Sequence, residues 1–133
     1  MKVKIILTAI LILLNVSNAY SLSEKEAQRL IDKGKQYLLG PKENADSAIF
    51  CFKKVADSYR KDLSPRQREL CGKAANNLGY VYLQHGIDCK AAYTALMKAK
   101  EICEGVNNSK TLATVYMNTA SLFSIFSEHV KSP

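Results

Sequence analysis

The chain has 133 residues, 47% of them hydrophobic, and 19 basic against 12 acidic side chains give it a net charge of +7. That length holds one small domain and no more, and its 4 cysteines are too few for a disulfide-dense scaffold. The basic residues are scattered, with Lys53-Lys54, Arg60-Lys61, Arg66, Arg68 and Lys73 alternating with Asp57, Asp62 and Glu69, so they read as solvated helix faces and no nucleic-acid partner is expected.

Residues 1–19 read as a cleavable signal peptide. Lys2 and Lys4 supply the positive region, Ile5 to Leu14 the apolar run, and Ser17-Asn18-Ala19 the small residues three and one before a cut after Ala19. The run is shorter than the roughly 20 residues of a membrane span. Membrane contact is therefore expected only in transit, and residues 20–133 are expected in a periplasm or secreted. Losing Lys2 and Lys4 lowers the net charge of +7 by two.

Helix follows helix through the rest of the chain. Ser23 with Glu26 three residues on suggests a capping box, opening a first helix to about Leu39 with Ala27, Leu30, Ile31, Gly34, Tyr37 and Leu38 on one stripe. Gly40-Pro41 ends it. A second helix spans about Asp46 to Lys61, burying Ala48, Ile49, Phe52, Val55, Ala56 and Tyr59. Ser64 then caps a third with Pro65 at its first position, running to about His85. A fourth covers about Asp88 to Glu104, and after a break at Gly105 to Ser109 a fifth runs from about Lys110 to Val130. No stretch alternates like a strand, so the fold class is all-α with five helices.

The helices repeat. Gly34-x-x-Tyr37 recurs as Gly79-x-x-Tyr82 and as Ala120-x-x-Phe123, and Ala48, Phe52, Val55 recurs as Ala92, Leu96, Ala99. Two helix axes approach closely where a side chain is nearly absent, which is what Gly79 and Ala92 provide. This arrangement resembles the tetratricopeptide repeat, a helix-turn-helix unit that buries its faces by stacking on its neighbours. The resemblance is divergent: the spacing is longer than the usual repeat, Val55 stands where a small residue is customary, and no tryptophan anchor exists. It is similar to the repeats of exported bacterial sensor and regulator proteins. On this reading repeat 1 covers about 24–62, repeat 2 about 65–104, and an incomplete repeat 3 about 110–130.

The fifth helix is apolar nearly all round, carrying Leu112, Val115, Tyr116, Met117, Leu122, Phe123, Ile125, Phe126 and Val130, although the last helix of an array should be polar outside. Leu122, Phe123 and Phe126 are therefore expected to form an apolar interface. A second copy, a partner protein, or further repeats of a longer chain would each supply its cover.

No catalytic constellation can be assembled. His85 and His129 fall at separate helix ends, Gly86 places a turn between His85 and Cys89, and Asp32, Asp46, Asp57, Asp62 and Asp88 follow no paired-carboxylate pattern. There is no phosphate loop or nucleophile elbow, and no C-x-x-C, so neither a metal site nor a cofactor is expected. Among Cys51, Cys71, Cys89 and Cys103, only a Cys71–Cys103 bridge fits a helix pair turning near Gly86. Asn107-Asn108-Ser109 fits a glycosylation sequon, although turn and cap chemistry already accounts for it.

The resemblance implies a groove lined by the first helix of each repeat, gripping a peptide or partner helix. The polar positions off the packing stripes are Lys73, Asn76, Asn77, Tyr80 and Gln84 in repeat 2. Thr114, Asn118 and Ser121 correspond in repeat 3, and Arg29, Lys33 and Gln36 in repeat 1. Asn77 and Asn118 each stand two before the small residue of the motif, and an amide that both donates and accepts can hold a peptide backbone. The expected function is an exported scaffold for protein–protein interaction, not an enzyme. The alternative is the input domain of a larger membrane-linked signalling regulator.

Overall fold

A computed structural model describes residues 22–40, 44–86 and 88–131 of the chain. The signal-peptide reading falls on residues 1–19, outside them. Among the described residues there are five α-helices: α1 (Glu24–Leu38), α2 (Ala45–Asp57), α3 (Pro65–Val81), α4 (Cys89–Gly105) and α5 (Ser109–Lys131). The all-α class is as expected. None of these helices is both long and apolar enough to cross a membrane.

Local chemistry sets the ends. Ser23 Oγ accepts from the Glu26 N–H at 3.2 Å, satisfying one of the orphan donors at the start of α1. Ser64 and Gln67 close a reciprocal capping box at α3, with Pro65 behind the cap. Asp88 accepts from the Ala91 N–H at 3.0 Å and Asn108 Oδ1 from the Thr111 N–H at 3.2 Å. The second helix ends at Asp57 rather than Lys61, because the chain turns at Ser58 to tuck Tyr59 and Leu63 against the core. The third passes at Tyr82 into a π-helical turn, Tyr82–Gly86, before the break to Asp88.

Packing follows the small residues. A Cβ built on Gly34 would lie 2.6 Å from the Phe52 ring, and one on Gly79 2.7 Å from the Leu96 side chain. In each hairpin the glycine is the hole and the large side chain the knob, and Phe52 and Leu96 are both fully buried. Earlier in α3, Gly72 faces Ile102 and Cys103, whereas Gly79 faces Leu96 and Ala92. Those pairings run in opposite senses along α3 and α4, so this hairpin is antiparallel.

The hairpins then stack in parallel. Ser64 donates to Glu24 at 3.2 Å, and Arg66 donates to Gln28 at 3.4 Å, setting the start of α3 beside that of α1. Asn108 donates to Glu69 at 3.4 Å and Asn118 to Asn76 at 3.0 Å, which sets α5 beside α3 in the same sense. The sequence offsets of these four pairs are 40, 38, 39 and 42 residues. One layer therefore holds α1, α3 and α5 and the other α2 and α4, with Ile31, Phe52, Val55, Leu70, Val81 and Ile102 in the main core between them. Each such side chain, fully buried, contributes about 1.5–3 kcal/mol.

Candidate functional site

The three parallel helices line one cleft of about 320 Å³. Lys35 comes from α1, Glu69, Lys73, Asn76 and Asn77 from α3, Lys110, Thr111 and Thr114 from α5, and Asn108 from the joint before it. Four of the expected groove residues, Lys73, Asn76, Asn77 and Thr114, thus meet in one place. Tyr80 and Gln84 are exposed outside this cleft, and on α1 the lining residue is Lys35 rather than Arg29, Lys33 or Gln36. Lys33 instead sits 5.9 Å over the ring of Tyr37.

Asn76 departs from the expected free groove position: it is only 6% exposed, and its Oδ1 accepts from Asn118 Nδ2 at 3.0 Å. A buried amide needs such a partner, so this pair fixes α5 on α3; Asn76 lines the cleft and Asn118 does not. Asn118 is half-buried by the same contact.

The cleft is basic at its rim. Lys35, Lys73 and Lys110 stand against one carboxylate, Glu69, which is already shared by Arg66 at 3.4 Å and Lys73 at 3.8 Å. Glu69 and Asn108 escape the sequence reading, although Glu69 lies four residues before Lys73 and so on the same helical face. Exposed cations at the mouth of a cleft raise the local concentration of acidic ligands, an effect weakened by salt.

The expected apolar surface is corrected at one position. Leu122 is 3% exposed and packs with Leu83, Ala92 and Leu96 in a second small core, because the side of α5 turned to these residues carries Leu122 and Ile125. Phe123 and Phe126 remain exposed, at 56% and 58%, together with Tyr116, Met117 and Val130. Phe123 and Phe126 form an apolar cleft of about 410 Å³ with Leu122, Cys89, Lys90 and Tyr93.

A third cleft, about 400 Å³, lies where α2 meets the π-turn and α4. Three of its charges are spent on each other: Asp57 takes both Lys53, one turn before it, and Lys98, at 3.8 Å.

All four cysteines are free thiols, and the one bridge that the helix spacing admits, Cys71–Cys103, is not formed. Burial pushes both thiols above the ordinary value, Cys103 to about 11 with help from Glu69. Such thiols are poor nucleophiles. Among the described residues no group of three or more His, Cys, Asp and Glu side chains could hold a metal ion.

Comparison of the chain with protein-family models, curated proteins and solved structures finds no match.

Proposed function

We propose that the protein is a tetratricopeptide-like scaffold that binds a peptide segment of a partner protein in the cleft between α1, α3 and α5, and that it acts after export. The reading is supported above all by the meeting of one lysine from each of the three stacked helices, Lys35, Lys73 and Lys110, beside the amides of Asn76 and Asn77. The lysines favour acidic side chains or a terminal carboxylate, and the amides favour a peptide backbone, which presents both donors and acceptors. No catalytic role is assigned to these groups.

Selection from a displayed random-peptide library on the immobilised protein tests the reading. Enriched peptides should be acidic, and Lys73→Glu should weaken their binding at least about tenfold, or about 1.4 kcal/mol. Failure to enrich any sequence, or peptides that bind Lys73→Glu and Asn77→Ala as tightly as the parent, would remove the cleft from consideration.

A further inference from the structure

The small residue of the repeated motif occurs three times, and among the described residues only two occurrences lie under a large side chain. Gly34 lies under Phe52 and Gly79 under Leu96. The third small residue, Ala120, is exposed. Around it α5 presents Tyr116, Met117, Phe123 and Val130, each at least half exposed.

We propose that this face docks a second copy of the chain, through α5 against an antiparallel α5, with Phe123 of each copy seated over Ala120 of the other. The sizes along the face support a self-complementary fit. When Ala120 faces Phe123 of the other copy, the same two-fold relation sets Ala113 opposite Val130 and Tyr116 opposite Ser127. Small meets large at each of these positions, all of them exposed, while the same relation sets Met117 against Phe126, large against large, at the edges of the face. A two-fold interface requires such reciprocity, since one patch must fit itself.

Charge does not oppose the pairing. No charged residue occurs from Thr111 to Ser127, so contact along the middle of the helix buries no ion, and antiparallel helices align their dipoles favourably. The 23-residue helix is about 34 Å long. Its large exposed side chains extend toward Phe126 and Tyr93. The contact also continues the packing of the two hairpins, with a third antiparallel pair built on a small residue.

Sedimentation velocity of the whole chain over a range of concentrations tests the proposal, with Ala120→Arg and Phe123→Glu as variants. Both positions are exposed, so helical circular dichroism should be unchanged in the variants. The expected result is a discrete dimer in the parent whose dissociation constant rises at least about tenfold in each variant. A parent that stays monomeric throughout, a dimer indifferent to both substitutions, or open-ended association would each overturn it; the last would indicate a contact that does not close.

Discussion

Asn118 on α5 donates from Nδ2 to Oδ1 of Asn76 on α3 across 3.0 Å, and the acceptor is 6% exposed. The bond joins two helices 42 residues apart in sequence. Asn118→Ala leaves the buried carbonyl oxygen of Asn76 without this donor, at a cost of about 1–3 kcal/mol. In a double-mutant cycle with Asn76→Ala, urea unfolding should give a coupling of about 1 kcal/mol. Strict additivity would show that the bond contributes nothing of its own.

Gly79 and Gly105 should respond oppositely to alanine. A methyl at Gly79 meets the Leu96 Cγ and Cδ2 atoms at 2.7 Å, whereas nothing lies within 4 Å of one at Gly105. Leu96 is fully buried, so Gly79→Ala forces a core side chain to move and should destabilise by about 1–3 kcal/mol, more than the gain of up to about 1 kcal/mol in helix propensity. Gly105→Ala should leave the melting temperature unchanged or raised.

Alkaline titration should lower stability through Cys103. Its folded pKa, about 11, lies above the thiol value of 9.0, so the unfolded chain loses this proton first as pH rises. The contribution is fully present below the unfolded value and is lost between about 9 and about 11. Urea midpoints followed through that window should fall less steeply in Cys103→Ala than in the parent. Equal slopes would show that the thiolate is tolerated in the fold.

Asn107 holds φ at 55° in the joint before α5. Asparagine and glycine adopt this left-handed conformation readily, but a β-branched residue does not. Asn107→Gly should leave thermal stability within about 0.5 kcal/mol, whereas Asn107→Val should cost about 1–2 kcal/mol.

The helices were legible because their signals are local. Ser64 with Pro65, Asp88 and Asn108 mark starts by chemistry within three residues of each cap, and apolar spacing marks the faces. The end of α2 was not legible, since Tyr59 continues an apolar pattern while packing from irregular backbone. At the cleft, the choice of Lys73, Asn77 and Thr114 needed only helical spacing. Lys35 and the burial of Asn76 depend on the rotation of one helix against another, which a single helix's pattern does not encode. Leu122 shows the same limit: a helix apolar on several sides does not declare which side its neighbours cover.

Because α3 packs against each of the other four helices while α1 packs chiefly on α2 and α3, cohesion is concentrated in the middle of the chain. Backbone amides of α3 should exchange with solvent only on global opening, whereas those of α1 are released by fraying of the end. Contacts mostly between consecutive helices also keep loop-closure costs low, favouring fast assembly outward from the α3–α4 hairpin.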